Sequence, residues 1–334
     1  MRQAAAASSA PARPWTTLFA PVAAELVAVE DRLRTELSSE DPFVDQLVKH
    51  AFRLGGKRLR PALLLLAGKA CGQANEDHII LATVVEMIHT ATLVHDDVLD
   101  EASLRRHQDT LNARNDNEAS VLVGDFLFTH AFALASSLET TYACQVIGAA
   151  TNAVCAGELR QIHSRGDYGL TEERYLSIIE AKTAELCACC CRLGAHYADA
   201  DAPTTAALER YGRSLGIAFQ IVDDILDLVG DERRAGKTLG ADLKKEKLTL
   251  PAIHALAQLV PNEREAVVER LRRGGAVAEQ TLAQQLAASD GLEYARGRAA
   301  DFAREARESL AGLSWTPARD VLTQLTELVL TRGE

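Results

Sequence analysis

Two short acidic runs, Asp96-Asp97-Val98-Leu99-Asp100 and Asp223-Asp224-Ile225-Leu226-Asp227, share the spelling Asp-Asp-x-x-Asp in distant parts of the chain. Each is embedded in apolar sequence, Thr92-Leu93-Val94 before the first and Phe219-Gln220-Ile221-Val222 before the second. Carboxylates in such surroundings are unfavourable unless a cation offsets them. On an α-helix, residues i and i+4 lie about 40° apart around the axis, so each run is expected to present a small cluster of oxygens. Hard divalent ions such as Mg²⁺ take carboxylate oxygens together with water and phosphate oxygens. Two facing runs would therefore grip one diphosphate through bridging metals. Two merely solvated acidic faces would have no need of matched spelling, apolar flanks and basic residues downstream.

Those basic residues are a second signal. Gly55-Gly56-Lys57-Arg58-Leu59-Arg60-Pro61 reads as a loop whose glycines let the backbone approach an anion, followed by a helix start with free N–H groups. Lys57 and Arg60 can converge there on a diphosphate. Arg105-Arg106 follow Asp100 closely, so the first acidic helix is expected to end in a basic turn that suits phosphate oxygens and complements the helix dipole. Lys182-Thr183 interrupts a helical run after Ile178-Ile179-Glu180, and Lys237 follows the second acidic run. Both lysines are placed to cap phosphates.

Helices are the elements that must position these groups. No proline occurs between Pro61 and Pro203, while Ala, Leu, Glu and Lys recur at helical intervals, a pattern foreign to a turn-rich β fold. Breaks fall at Gly55-Gly56, Gly72-Gln73-Ala74-Asn75, Arg114-Asn115-Asp116-Asn117, Gly166-Asp167-Tyr168-Gly169, Asp199 to Pro203, Gly230 to Gly240 and Arg273-Gly274-Gly275. None is long enough to be a domain linker. The expectation is an all-α fold: one large helical bundle, residues 21–334, in which an early and a late helix bring the acidic runs to a shared central cavity. Residues 1–20, Ala-rich, without an acid and carrying Pro11 and Pro14, are expected to be a disordered tail; with only Arg2 and Arg13 for charge, a transit peptide is the weaker reading.

The chain has 334 residues, a net charge of −11 and 47% hydrophobic content, enough for a substantial core. That acidity speaks against nucleic acid as a partner. No uninterrupted apolar run approaches membrane-spanning length, so no transmembrane segment is expected. Seven cysteines, four of them in Cys187-Ala188-Cys189-Cys190-Cys191, read as reduced thiols packed as small apolar residues, since neighbouring cysteines on a helix point different ways and no second pair stands at zinc-ligand spacing. A cytoplasmic protein of bacterial type is the expectation.

The chain resembles the all-trans polyprenyl diphosphate synthases, the chain-elongating prenyltransferases of isoprenoid biosynthesis. The segments that carry the likeness are Gly55 to Pro61, Ile88 to Glu101, Arg105-Arg106, Ser120 to Asp125, Gly157-Glu158, Lys182-Thr183, Phe219 to Asp227 and Gly236-Lys237 through Leu248-Thr249-Leu250-Pro251, in the family's order from about Ala20 onward. The resemblance implies the isoprenoid synthase bundle, usually a homodimer, using two to three Mg²⁺ ions. It implies Asp96 and Asp100 as metal ligands of the first site with Asp97 in support, and Asp223 as main ligand of the second with Asp224 and Asp227 close by. The allylic diphosphate would contact Arg105, Lys182 and Lys237; isopentenyl diphosphate would be held by Lys57, Arg60, His89 and Arg106; Thr183 and Gln220 would line the reacting centre. Two departures stand out: His107-Gln108 where the family has glycine after the arginine pair, and Glu246 where glycine is common before Lys247.

The chemistry implied is departure of diphosphate from an allylic carbon, attack of the isopentenyl double bond on the resulting cation, and loss of a proton. Product length is read from Ala91 and Thr92, small residues one turn before Asp96 that would leave room for a growing tail; one turn rises about 5.4 Å, close to an isoprene unit. His89-Thr90-Ala91-Thr92-Leu93 is similar to the long-chain quinone-tail synthases. A product longer than geranylgeranyl is therefore expected, with Met87, Ile88, Phe126, Phe128 and Phe132 as candidates for a deeper floor. The alternatives weighed are a farnesyl- or geranylgeranyl-forming enzyme, a terpene cyclase, a non-catalytic subunit of a two-component synthase and a head-to-head condensing enzyme. The cyclase fits poorly with 5% aromatic residues, the subunit with two intact acidic runs.

Overall fold

The computed structural model describes residues 17–53, 56, 58–229 and 241–332. Its main helices are α1 (Ala23–Glu36), α2 (Pro42–Arg53), α3 (Leu59–Cys71), α4 (Glu76–Leu99), α5 (Asn117–Ala135), α6 (Tyr142–His163), α7 (Glu172–Ile179), α8 (Glu185–His196), α9 (Ala202–Val229), α10 (Leu250–Ala257), α11 (Pro261–Arg272), α12 (Gly275–Ala287), α13 (Gly291–Ser309) and α14 (Pro317–Leu330). The expected all-α architecture holds. Among the described residues the only strands form a short ribbon, Leu104–Arg105 paired antiparallel with Gln108–Asp109. Arg105 and Arg106 thus lie beyond α4, on the ribbon and its turn, and not in the basic last turn of a helix.

Helix α3 is apolar all round, with Leu63, Leu64, Leu65 and Leu66 wholly buried, which marks it as a central helix. It packs between α4 and α8; α9 lies against the other side of α8, and α5 and α13 cover α4 and α9. Two glycines permit the closest approaches: a Cβ on Gly194 of α8 would collide with the Leu64 carbonyl, and one on Gly212 of α9 would come within 2.5 Å of the Cys187 carbonyl. Cys187, Cys189, Cys190 and Cys191 are buried free thiols in this seam, and burial pushes their pKa values up. Helix α4 starts at a reciprocal cap in which the Asn75 side chain accepts from the His78 N–H at 3.2 Å.

Residues 1–16 of the expected tail lie outside the described residues; residues 17–20 are described, with Phe19 buried and a 3₁₀ turn at Ala20–Val22. Lys57 and Lys237 also lie outside the described residues. By length and composition α4 and α5 could each cross a membrane, although neither is an uninterrupted apolar run; 67% of the most apolar stretch of α4 is buried inside the protein, against 39% for α5.

Candidate active site

The first acidic run sits at a carboxyl-terminal helix end, and the second lies in the last described turns of its helix. Asp96 and Asp97 belong to the last turn of α4, with Asp100 as its C-cap, and Asp223, Asp224 and Asp227 belong to the last turns of α9. A carboxyl-terminal end carries partial negative charge, so carboxylates there demand a cation more strongly than elsewhere on a helix.

Two short segments tie the runs into one site. Between α7 and α8 the helix loosens into a π-turn, Glu180–Ala184, at the place where the sequence suggested an interruption. From it Lys182 Nζ approaches Asp96 Oδ2 at 3.8 Å, and the Thr183 hydroxyl donates to Gln220 Oε1 at 2.8 Å. Gln220 in turn donates to Asp224 Oδ1 at 2.8 Å. The second segment follows a one-turn helix, Ala241–Lys244. Lys245 Nζ lies 2.8 Å from Asp100, Lys247 Nζ lies 3.6 Å from Asp224, and the Asp242 N–H donates to Asp227 at 3.1 Å. Adjacent residues of one turn, and alternate lysines of one loop, thus reach opposite acidic runs.

Within each run the carboxylates fan out, contrary to the expected compact oxygen cluster. Among the described residues no group of three or more His, Cys, Asp or Glu converges as a closed metal cage. Asp97 turns to Arg105, whose Nε donates to it at 2.9 and 3.0 Å, so the arginine expected on the allylic diphosphate is engaged by an acid. Asp100 lies between Lys245 and Arg165, and Asp96 faces Lys182, which also contacts Glu158 and donates to Gln161 at 2.8 Å. Burial, followed by the nearby Glu158 and Asp100 charges, raises the Asp96 carboxyl to about 6 despite Lys182. Asp224 is 2% exposed, accepts from the Tyr175 hydroxyl at 2.7 Å, and is raised by burial against the pull of Lys247. Against burial, Asp224 and Asp242 hold the Lys247 ammonium above its ordinary range. Partly exposed carboxylates that face long side-chain cations instead of a fixed cage, Asp96 and Asp100 in the first run, fit Mg²⁺, which binds through one or two carboxylates and completes its shell with water and phosphate oxygens.

A separate cationic cradle adjoins the first run. Arg60 Nη1 donates to His89 Nε2 at 2.9 Å, which makes that nitrogen an acceptor and the ring neutral. Burial, then the Arg60, Arg106 and Arg105 charges, hold the His89 pKa well below its ordinary value. The Arg106 guanidinium lies on Gly56, where any Cβ would strike it. Arg58, in the left-handed region at φ 54°, caps α3 and pairs with Glu30 at 2.5 Å and with buried Glu86 at 2.6 Å. Lys57, the remaining residue expected here, is not described.

Sequence reasoning missed Glu86, Gln161, Arg165, Tyr175, Lys245 and Lys247 as neighbours of the site. Lys245 and Lys247 lay within a segment that carried the resemblance but were given no role there; for Gln161 a helical i, i+3 spacing from Glu158 was the available sign that both face one way. Both departures from the family pattern have a conformational meaning. His107 at φ 64° and Glu246 at φ 55° occupy the left-handed region that glycine enters freely. Glu246 is retained there by its carbonyl, which accepts from the Gly166 N–H at 2.9 Å.

Along α4, Ala91 is wholly buried, Thr92 turns its hydroxyl to the His89 carbonyl at 2.8 Å, and Met87 and Ile88 are buried beneath. Phe128 and Phe132 pack against the core, but Phe126 is 36% exposed on the outer face of α5 and is no floor.

A family model described as polyprenyl synthetase matches residues 41–288. The chain belongs to that family. It is 36% identical over 311 residues to the octaprenyl diphosphate synthase of Escherichia coli, covering 93% of this chain and 96% of that one. It is 36% identical to the all-trans-nonaprenyl-diphosphate synthase of Rhodobacter capsulatus, covering 94% and 97%. Among solved structures, a decaprenyl diphosphate synthase from Rhodobacter capsulatus superposes with a TM-score of 0.90 at 37% identity, covering 96% of this chain and 100% of that one. A polyprenyl synthase from Caulobacter crescentus, complexed with calcium and isoprenyl diphosphate, gives 0.90 at 35%, covering 97% and 100%. The resemblance read from the motifs stands, as does the enzyme class, prenyltransferase.

Proposed function

We propose that this polyprenyl synthetase is a Mg²⁺-dependent enzyme that joins isopentenyl diphosphate head to tail, in trans, to an allylic diphosphate. The observation that carries this reading is the pairing of two acidic runs in one site with a distinct arginine cradle beside the first: two places for two diphosphates. Asp96, Asp100 and Asp223 would hold two to three ions, which supply charge stabilisation to the departing diphosphate. Lys182 and Lys237 add positive charge at the same leaving group, joined by Arg105 when Asp97 releases it. Lys57, Arg60 and Arg106 hold isopentenyl diphosphate, and His89, as a neutral acceptor, aims Arg60 at it. Thr183 and Gln220 form one hydrogen-bonded chain to Asp224 that fixes the wall of the reacting centre. The π-turn and the 242–247 segment cover the site and keep water from the allylic cation. The isopentenyl double bond attacks that cation, and the proton released is taken by the free diphosphate. Alignment of the two substrates supplies much of the acceleration.

The outer face of α5, where Val121 is 41%, Leu122 67% and Phe126 36% exposed, is apolar enough to favour a homodimer, and seven free cysteines suit a reducing cytoplasm. Incubation with isopentenyl diphosphate, Mg²⁺ and each allylic primer, followed by sizing of products, tests the activity. Ala91→Tyr tests the length reading in the same assay. A ring at this buried site should shorten products to farnesyl or geranylgeranyl length while the first condensation survives, with an overpacking cost of about 1–3 kcal/mol. An unaltered product distribution at undiminished rate would remove Ala91 and Thr92 from the wall of the tail cavity.

A further inference from the structure

Asp223 is treated differently from its neighbours. Asp224 is fixed by Tyr175, Gln220 and Lys247, and Asp227 accepts from the Asp242 backbone. Among the described residues, the one ionic partner of Asp223 is Arg332, just past the end of α14, with Nη1 3.0 Å from Oδ1. The guanidinium lies over the Phe219 ring, its central carbon 3.9 Å from the centroid, one helical turn before Asp223. Its side chain is 19% exposed, and Nη1 is buried without a hydrogen bond. The contact is therefore charge pairing and ring stacking, without the two-pronged hydrogen bonding that locks an arginine onto a carboxylate. Helix α14 itself is anchored elsewhere, against α3, α9 and α13, so Arg332 can leave without unfolding it.

We propose that Arg332 is a tethered cation that occupies the second acidic run in the metal-free enzyme and is displaced when a divalent ion takes Asp223. The inference rests on the reading of Asp223 as a metal ligand. The guanidinium on Oδ1 competes with a divalent ion for that carboxylate and repels the ion, so Arg332 lowers the affinity of the empty site for metal. It keeps the carboxylate neutralised until a metal-bound diphosphate arrives, and Phe219 provides the surface against which it is poised.

The test is Mn²⁺ binding to the full chain without substrates, followed by calorimetry and by the electron paramagnetic signal of free Mn²⁺. Wild type, Arg332→Gln, Arg332→Lys, Asp223→Asn and the Arg332→Gln/Asp223→Asn double variant are compared, with circular dichroism to establish folding. Arg332→Gln should tighten Mn²⁺ by about fivefold, the equivalent of one partly exposed ion pair. Arg332→Lys should stay near wild type, and in the Asp223→Asn background Arg332→Gln should change nothing. If Asp223→Asn leaves Mn²⁺ binding intact, the metal reading of Asp223 fails and the gate with it. If Asp223→Asn weakens binding but Arg332→Gln does not tighten it, the gate alone is overturned.

Discussion

The two Asp-Asp-x-x-Asp runs are spelled alike, yet the fold uses them differently. In the first run the middle acid, Asp97, is locked by Arg105, while the outer two, Asp96 and Asp100, face long and flexible cations. In the second run the last two acids are buried in the scaffold and only Asp223, 37% exposed, looks outward to a distant cation. The first run lies on a loop-rich edge between α4 and the ribbon, where lysines from later segments can reach it. The second lies inside the turns of α9, whose inner face is packed. Three identical letters therefore give two accessible carboxylates in one place and one in the other. Which carboxylate serves chemistry and which serves the fold is decided by what packs behind it.

The largest effect expected from this contrast is on activity. Asp96→Ala and Asp223→Ala should each reduce condensation by at least about 100-fold while leaving helicity and melting temperature nearly unchanged, because each removes an outward carboxylate. Turnover near the wild-type value in either variant would sink their assignment as metal ligands. Asp224→Ala should behave in the opposite sense, as a stability mutant. It removes one of the two carboxylates that hold buried Lys247, leaving Asp242 at 3.1 Å, and strips an acceptor from Tyr175 and Gln220, a loss of about 1–3 kcal/mol readable by urea denaturation. A loss below about 1 kcal/mol would erase the distinction drawn between Asp223 and Asp224.

A smaller and more selective effect should follow at the cradle that only the first run possesses. Arg106→Ala is expected to weaken isopentenyl diphosphate by about 2–3 kcal/mol, seen as a raised KM for that substrate, with the KM for the allylic primer nearly unmoved. Equal losses for both substrates would mean that the two diphosphate sites are assigned wrongly. The smallest effect belongs to the loop that reaches both runs. Glu246→Gly relieves a left-handed residue at φ 55° and should stabilise the protein by about 0.5–1 kcal/mol without changing either KM. Destabilisation would show that the Glu246 side chain anchors the segment that carries Lys245 and Lys247.

Much of this was legible in the letters. Helical periodicity without proline gave the fold class, and an interruption at Lys182-Thr183 marked the π-turn, because both depend on local backbone chemistry. Arg60 and the Arg105-Arg106 pair were legible as anion-seeking bases in the sequence, but that Arg60, His89 and Arg106 belong together was implied only by the family resemblance. Phe126 was misjudged as a floor because a helix pattern does not say which apolar face meets the core and which remains outside. The engagement of Arg105 by Asp97 was equally hidden, since any of the six acids could have been its partner.

By itself, then, the sequence determined that two acidic runs would sit on helices, that basic residues would flank them, and that the chain would pack as a helical bundle. Periodicity, residue type and local spacing suffice for those statements. Tertiary structure alone decided that residues from the 242–247 segment and the end of α14 would reach carboxylates far away in the chain, and that Asp224 would be buried while Asp223 stayed open. Such pairings depend on where helices cross and which side chains fill the space between them, and no local rule in the chain encodes a contact between residues as distant as Asp100 and Lys245.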